Sequence, residues 1–153
     1  MTTVKYSIDT NAFLTAWNET YRPASFENFW KRMEDLIGEG RALASEEVGR
    51  ELEKKDDGVS TWAKNQNSLF VPLETEQLVL VKQLAADNPG LAKERLGRMR
   101  ADGFVIGLAQ WRKLVVVTAE NRRGPDKIPN ICDAVGVRCV SLADMIQSEG
   151  WRF

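Results

Sequence analysis

Histidine is absent from the 153 residues of the sequence. Without an imidazole group the protein has no Ser-His-Asp triad, no Cys-His pair and no zinc site with histidine ligands. Carboxylates, hydroxyls, amines and thiols are the groups that remain for catalytic chemistry. The acidic residues are therefore the first candidates for a functional site.

Long hydrophobic runs are absent as well. No apolar stretch approaches the roughly 20 residues that cross a bilayer, and residues 1–9, "MTTVKYSID", lack the apolar region of a signal peptide. We therefore expect no membrane contact and a cytoplasmic protein. Cysteine is scarce, and the spacing of Cys132 and Cys139 fits no metal-binding pattern. In a reducing cytosol the sequence predicts that both are free, buried thiols.

Neither sign of charge is in excess. The sequence has 21 basic and 22 acidic residues, so its net charge of −1 neither favours nor excludes a nucleic acid as partner. Hydrophobic residues make up 43% and charged residues 28%, which is typical of a globular protein. The length is that of one domain, so we expect residues 1–153 to form a single unit.

Alternating strand and helix patterns predict an α/β fold. Strands are expected at 4–8, 41–44, 114–118 and 137–141, and helices at 11–19, 25–37, 58–66, 74–86, 91–99, 101–112 and 142–148. A further helix is expected to begin after Ser45, which resembles an N-cap followed by an acidic first turn. Strands that alternate with helices indicate right-handed crossovers, hence a three-layer sandwich around a central, mostly parallel sheet. In open sheets of this kind, sites form at the carboxyl ends of the strands.

Acidic residues from four segments fall near that edge. Asp9 follows the first strand, Glu120 follows the strand "LVVVT", and Asp102 opens the helix before that strand. Glu47 and Glu51 are one helical turn apart and share a face. Two carboxylates 4 Å apart repel each other by about 4 kcal/mol at an effective dielectric constant of about 20. A hard cation such as Mg²⁺ or Mn²⁺ would offset this repulsion.

Each acid also has a purely structural interpretation. Asp9 could cap the helix that begins near Asn11. Asp102 could complement the dipole of its own helix. The glutamates after Ser45 could form a solvated face with neighbouring lysines and arginines. The prediction of a metal site rests on all four segments together.

Four motifs, taken in their order along the chain, resemble those of the PIN-domain ribonucleases: "IDTNAF", "SEEVGREL", "ADGFVIGLA" and "VVVTAEN". The resemblance covers about residues 4–141 and is closest to VapC-like toxins and a subfamily of uncharacterised bacterial PIN-like proteins. It implies four acids that bind the metal and carry the catalysis, Asp9, Glu51, Asp102 and Glu120. It also implies four supporting residues, Asn11, Glu47, Thr118 and Asn121. Glu51 is preferred over Glu47 because Leu52 follows it, as in the family pattern.

The function that the resemblance implies is hydrolysis of RNA phosphodiester bonds with Mg²⁺ or Mn²⁺. The family further implies a toxin that forms a homodimer and is blocked by a cognate antitoxin. With no histidine present, a metal-activated water or a neighbouring carboxylate would supply the base. Basic residues beside the metal acids would hold the RNA backbone, namely Arg98, Arg100, Arg122 and Arg123.

Two other classes of function stay open at this point. A non-catalytic PIN-like module would bind RNA or protein and would keep the acids only as helix caps. A phosphatase or response-regulator-like protein would use Asp9 as a phosphorylated nucleophile, although this strand ends in "DTN" rather than in a D-x-D motif.

Overall fold

The structure is a computed structural model that describes residues 3–92, 94–95, 98–99, 101–120 and 127–153, of which 92, 94–95 and 98–99 are described by their backbone alone. The strands in these ranges are β1 (Tyr6–Ile8), β2 (Ala42–Ser45), β3 (Phe70–Val71), β4 (Glu94–Arg95), β5 (Arg98–Met99), β6 (Val115–Val117) and β7 (Cys139–Val140). The α-helices are α1 (Thr10–Thr15), α2 (Glu27–Gly38), α3 (Glu46–Lys55), α4 (Asp57–Lys64), α5 (Thr75–Asp87), α6 (Asp102–Arg112), α7 (Ile128–Val135) and α8 (Leu142–Glu149).

A parallel sheet of five strands lies at the centre, in the order β3-β2-β1-β6-β7. Tyr6 of β1 lies opposite Ala42 of β2 on one side and opposite Val115 of β6 on the other. Every residue of β1 and β2 is buried, as expected for parallel strands that helices cover on both faces. The predicted α/β fold with a central parallel sheet flanked by helices is therefore confirmed.

Helix α6 packs against the middle of the sheet and carries α5 on its outer side. It is apolar nearly all round and buried from Asp102 to Ala109, as its sequence predicts. Ser7 of β1 donates a hydrogen bond to the carbonyl oxygen of Val105 over 2.9 Å. A Cβ atom on Gly107 would lie 2.6 Å from Val81 Cγ2, so glycine at this position permits the close approach of α5.

Aromatic side chains hold the first helices together. A π-helical turn (Ala16–Thr20) follows α1, and its Trp17 packs edge-on against Trp30 of α2 with 4.9 Å between ring centroids. Trp30 in turn packs edge-on against Trp62 of α4 at 4.8 Å. Edge-to-face aromatic pairs at such distances stabilise a fold by about 0.5–1.5 kcal/mol each beyond their buried area. They fix α1, and with it the residues that follow β1.

An ionic cluster joins α8 to the amino-terminal end of β1. Arg41 donates two hydrogen bonds to Glu149, over 2.8 and 2.7 Å, and the Tyr6 hydroxyl donates a third over 2.6 Å. Burial, followed by the hydrogen bond to Glu149, raises the pKa of Tyr6. This cluster lies at the end of the sheet opposite to the predicted site, so its role is structural.

The sequence prediction fails in two regions. Residues 91–99 were expected to be helical, but a 3₁₀ turn (Pro89–Ala92) is followed by β4 and β5, which pair antiparallel. Pro89 and Gly90 precede this region, and both residue types disfavour a helix interior. The sequence analysis also missed α7 and β3. Helix α7 has only 8 residues and β3 has 2, too few to give a clear periodicity.

No helix in the described ranges is long and apolar enough to span a membrane. Neither Cys132 nor Cys139 forms a disulfide, as predicted. Cys132 is buried, whereas Cys139 is partly exposed, so the prediction of two buried thiols is wrong for Cys139. The reason is that Cys139 lies on β7, the strand at the edge of the sheet.

Candidate functional site

The carboxyl ends of β1 and β6 meet at one edge of the sheet. Just beyond them, the Asp9 N–H donates to the carbonyl oxygen of Val117 over 2.9 Å, and Thr118 N–H donates to that of Val140 over 3.1 Å. The strand order changes direction at β1, since β2 and β3 lie on one side and β6 and β7 on the other. Ligands of open α/β sheets bind at such a switch point, which here is occupied by Asp9 and Thr118.

Asp9 is almost fully buried, with 1% of its surface exposed. It precedes α1 in the N-cap position, yet its side chain makes no capping hydrogen bond. Instead, Asp9 Oδ2 accepts a hydrogen bond from Thr118 Oγ1 over 2.8 Å. The side chain therefore contacts the end of β6 and does not cap α1, so the helix-cap interpretation does not explain this aspartate.

The negative charges that act on Asp9 are those of the three other predicted acids. Burial raises the pKa of Asp9 well above its ordinary value of 3.8, and the negative charge of Asp102 raises it next. The hydrogen bond from Thr118 lowers the pKa, whereas the charges of Glu120 and Glu51 raise it further. The fold thus places three other carboxylates close enough to oppose ionisation of Asp9.

Glu51 is held by the two segments that carry the aspartates. Its Oε1 accepts a hydrogen bond from Thr10 Oγ1 over 2.7 Å, and its Oε2 accepts one from Ala101 N–H over 3.2 Å. Thr10 directly follows Asp9, and Ala101 directly precedes Asp102. Glu51 therefore connects the start of α1 to the start of α6 and sets the distance between the two aspartates.

Glu47 lies one turn earlier on α3 and has a different role. Its carboxylate forms an ion pair with Arg50 on the same helix. The Glu47 N–H donates a hydrogen bond to Ser45 Oγ over 3.2 Å, so Ser45 caps α3, as predicted from the sequence. Glu47 thus contacts surface residues of α3, whereas Glu51 faces the aspartates.

Glu120 connects the end of β6 to α7. Its N–H donates to Thr118 Oγ1 over 3.1 Å, and its Oε2 accepts a hydrogen bond from the N–H of Ile128, the first residue of α7, over 2.9 Å. A carboxylate at a helix N-terminus is favoured by the helix dipole. Thr118 accepts from Glu120 and donates to Asp9, so it joins two of the predicted acids.

The remaining predicted site residues differ in how far the structure describes them. Asp102 lies in the first turn of α6 and is 8% exposed, and Asn11 lies in the first turn of α1 and is half-buried. Arg98 belongs to β5, where the backbone alone is described. Four predicted residues lie outside the described residues: Arg100, Asn121, Arg122 and Arg123.

The acidic residues could hold a hard cation to which the protein contributes only one or two ligands. Among the residues that the structure describes, no group of three or more carboxylates or thiols is arranged to hold a metal ion. Mg²⁺ usually keeps several water molecules and binds one or two carboxylates. Among the charges around Asp9, that of Asp102 raises its pKa most, so Asp9 and Asp102 are the two carboxylates that could hold such an ion together.

An open cleft of about 210 Å³ adjoins the acids. Thr118 and Glu120 form one side of it, and the other lining residues come from β7 and the starts of α7 and α8: Pro129, Cys139, Val140, Ser141 and Asp144. The cleft therefore lies at the carboxyl ends of β6 and β7. A ligand in it would contact the Glu120 side of the acidic cluster.

Sequence reasoning missed three groups that hold the acids in place: the hydroxyl of Thr10 and the N–H groups of Ala101 and Ile128. The signal for Thr10 was available, because it lies inside the "DTN" motif next to Asp9. The two backbone donors have no such signal, since every residue except proline carries an N–H group.

The comparison with protein families gives one match. Residues 6–153 match the family described as "Domain of unknown function (DUF4411)", and the chain belongs to this family. A comparison with curated proteins found no match.

Solved structures with a similar fold come from several bacteria. DNA-bound VapBC from Salmonella typhimurium is 20% identical, with a TM-score of 0.58 over 91% of this chain and 98% of that chain. VapBC2 from Rickettsia felis, bound to a DNA fragment from its promoter, is 16% identical, with a TM-score of 0.55 over 90% and 98%. FitAcB from Neisseria gonorrhoeae is 18% identical, with a TM-score of 0.50 over 88% and 95%. At these identities the similarity shows a shared PIN-like fold.

Proposed function

We propose that the chain is a Mg²⁺- or Mn²⁺-dependent ribonuclease that acts as the toxin of a bacterial toxin–antitoxin pair. The observation that carries the proposal is the buried Asp9, which lies among the carboxylates of Asp102, Glu120 and Glu51. Such an arrangement is unfavourable without a counter-charge. A divalent cation of the kind that phosphoryl-transfer sites use would offset the repulsion and make use of the same oxygens.

The residues of the site divide into two roles. Asp9 and Asp102 would hold the cation, and Thr118 would orient Asp9 through its hydrogen bond of 2.8 Å. Glu51 would keep the two aspartates at a fixed distance through its bonds to their chain neighbours. When bound, the cation would activate a water molecule for attack and stabilise negative charge on the phosphate.

The cleft beside Glu120 offers room for the scissile phosphate and the adjoining sugar. Glu120 lines the cleft and also belongs to the acidic cluster, because its charge acts on Asp9 and its N–H donates to Thr118 Oγ1. Because the whole sequence lacks histidine, Glu120 would accept the proton from the attacking water. Basic residues predicted at Arg98, Arg100, Arg122 and Arg123 would bind the RNA backbone.

The decisive experiment is cleavage of a panel of structured and single-stranded RNAs in Mg²⁺, Mn²⁺ or EDTA. Asp9→Asn and Asp102→Asn should each reduce the metal-dependent rate by orders of magnitude. Asp35→Asn, on the exposed side of α2, is the matched control and should cleave like the wild type. Wild-type rates in Asp9→Asn, or equal cleavage in EDTA and Mg²⁺, would refute the proposed metal-dependent mechanism.

A binding module without catalysis is the second candidate, because Glu120 and Glu51 do accept backbone hydrogen bonds at the starts of α7 and α6. This alternative predicts that wild type and Asp9→Asn bind RNA equally and that neither cleaves it. Cleavage by the wild type alone excludes it.

The toxin role has a separate test in living cells. We propose a cognate antitoxin as partner because the similar solved structures include two VapBC structures and FitAcB. Induced expression of the wild type in a bacterial host should arrest growth, and expression of Asp9→Asn to the same level should not. Equal growth with both proteins would contradict a toxin that depends on this site. We also propose a homodimer, as the family resemblance implies, which light scattering of the purified protein tests directly.

A further inference from the structure

Helix α5 is apolar on all sides, although it packs with one side only against α6. Residues 78–81 are all apolar, and at 3.6 residues per turn they point in every direction around the helix. Helix α6 has a similar sequence and is buried from Asp102 to Ala109, whereas α5 buries Gln77, Val81 and Leu84. A helix that is apolar all round is expected to be buried all round. The outer side of α5 therefore indicates a contact that the described part of a single chain does not supply.

Val79 lies in the middle of this outer side and is 61% exposed. Among the described residues, Phe153 is the other large apolar side chain that is exposed, but its ring still packs against those of Tyr21 and Phe29. The exposed residues of α5 around Val79 recur every three or four positions, which places them on one face of the helix. We call them the α5 face: Thr75, Glu76, Val79, Lys82, Gln83 and Ala86.

The charges of the α5 face are arranged symmetrically about Val79. Glu76 lies three positions before Val79, and Lys82 lies three positions after it. If two such helices pack antiparallel around a twofold axis at Val79, Glu76 of each copy lies opposite Lys82 of the other. None of the ion pairs among the described residues involves either side chain. The face is therefore complementary in charge to a second copy of itself.

We propose that the α5 face is the surface through which two copies of this chain form a symmetric, antiparallel dimer. The proposal rests on the homodimer proposed above and assigns its interface. Val79 packs against its own counterpart at the axis, and an ion pair between Glu76 and Lys82 lies on each side of it. In a twofold interface each pair of residues occurs twice, so charges that mirror each other about one residue fit a second copy of the chain.

The orientation of α5 determines where the candidate sites lie in this dimer. A Cβ atom on Gly107 would meet the carbonyl oxygen of Gln77. One on Gly103, nearer the start of α6, would meet Leu91, which follows α5. Helix α5 is thus antiparallel to α6, and its carboxyl end lies on the side of Asp102. The carboxyl ends of the two α5 helices point away from each other in the dimer, so the two candidate sites lie at opposite ends of the helix pair.

The size of the α5 face predicts a weak dimer. The helix has 13 residues, so it is about 20 Å long. Interfaces that bury less than about 1,200 Å² in total are typical of transient association. We therefore expect a dimer that dissociates on dilution.

The first test measures the association of the purified protein by sedimentation equilibrium from about 1 μM to about 1 mM, a range that covers weak interfaces. The wild type should be a dimer at the highest concentration and a monomer at the lowest. Val79→Lys brings two like charges together at the axis and should raise the Kd of the dimer by about tenfold or more. Lys31→Glu, a charge reversal on the exposed side of α2, is the control and should dimerise like the wild type. A wild type that is monomeric throughout, or a Val79→Lys variant that dimerises equally well, would overturn the proposal.

The second test exchanges the charges of the α5 face. Glu76→Lys and Lys82→Glu each bring like charges together in both pairs, so each variant should dimerise more weakly than the wild type. Mixed in equal amounts, the two variants complement each other and should associate at least about tenfold more tightly than either does alone. The double variant Glu76→Lys/Lys82→Glu should recover the wild-type Kd. A mixture that associates no better than the separate variants would overturn the antiparallel arrangement.

These measurements require neither RNA nor metal, so they are independent of the proposed nuclease. Because the candidate sites lie outside the α5 face, Val79→Lys should also cleave RNA at the wild-type rate. Dimerisation of the wild type without any RNA cleavage would contradict the nuclease and still support the α5 interface. Cleavage that is lost together with the dimer in Val79→Lys would overturn the predicted separation of the two sites.

Discussion

Thr10 and Glu51 are joined by a hydrogen bond of 2.7 Å, from the threonine hydroxyl to one oxygen of the glutamate. The other oxygen of Glu51 accepts the N–H of Ala101. Because these partners are the chain neighbours of Asp9 and Asp102, one carboxylate on α3 controls where two others lie. We therefore propose that Glu51 positions the two aspartates of the proposed metal site.

The two glutamates of α3 should respond differently to loss of charge. Glu51→Gln removes the negative charge and one acceptor oxygen, so the amide oxygen can still accept from Ala101 N–H only if the Thr10 hydroxyl turns round to accept from the new NH₂ group. We expect RNA cleavage to fall by about 10–100-fold, the usual cost of disturbing groups that orient metal ligands. Glu47→Gln, which loses only a surface ion pair with Arg50, should cleave like the wild type.

Thr10 offers a control within the same interaction. Thr10→Val should reproduce the loss seen in Glu51→Gln, and Thr10→Ser, which retains the hydroxyl group, should restore most of the activity. An equal loss in Thr10→Ser and Thr10→Val would show that the hydrogen bond to Glu51 is not what matters.

The effect of Asp9→Asn on thermal stability should change sign when metal is added. In EDTA, the substitution removes a buried acid whose ionised form is opposed by burial and by the charges of Asp102, Glu120 and Glu51, so the variant should melt at or above the wild-type temperature. Asparagine can still accept the hydrogen bond from Thr118. With Mn²⁺ at a hundred times its Kd, the wild type should gain about 2.7 kcal/mol and the variant much less. Thermal melts of both proteins in both buffers provide the measurement, with Asp35→Asn as control.

The pH dependence of stability should report the same aspartate. The pKa of folded Asp9 is raised well above 3.8, so above pH 3.8 the unfolded chain loses this proton before the folded protein does. In metal-free buffer, the free energy of unfolding contributed by Asp9 should therefore fall as pH rises from 3.8 through the folded pKa. Denaturant titrations across this range should show Asp9→Asn gaining on the wild type with increasing pH. A constant difference between the two proteins would mean that Asp9 does not titrate abnormally.

Two glycines of α6 provide a test of the packing beneath the site. A Cβ atom on Gly107 would lie 2.6 Å from Val81 Cγ2, whereas one on Gly103 would lie at an ordinary contact distance of 3.7 Å from Val81 Cγ1. Gly107→Ala should lower the free energy of unfolding by about 1–3 kcal/mol, because α5 must move away. Gly103→Ala should be neutral or stabilising by up to about 1 kcal/mol, since alanine favours a helix. Urea unfolding of the two variants side by side decides this.

The parts of the fold that sequence predicted are those with a strong local signal. Helix α6 is apolar on all sides and β6 is a run of valines, and both patterns indicate burial whatever the rest of the chain does. Residues 91–99 have an ambiguous pattern, because β4 and β5 have only 2 residues each, too few to show the alternation of a strand. Helix α7 carries Pro129 in its first turn, a residue that marks a helix start as readily as an interruption.

The candidate site shows the same limit. The sequence predicts which acids follow β1 and β6 because strand ends can be recognised locally. The choice between Glu47 and Glu51 depends on which face of α3 turns toward α1, and that is decided by packing between helices. The N–H groups of Ala101 and Ile128 become partners of Glu51 and Glu120 only in the folded chain. The role of the four acids as metal ligands stays a prediction.

The order in which the strands occur along the chain also determines when the acidic cluster can exist. Strand β1 pairs with β6, and the hydrogen bond between Thr118 and Asp9 joins residues 109 positions apart. Contacts of such long sequence separation form late and slowly during folding, because closing a large loop costs entropy before the new contact can stabilise the chain. A growing chain that has not yet produced β6 therefore holds Asp9 without Thr118 or Glu120. During synthesis, the chain remains without its assembled acidic cluster until most of its length has been made.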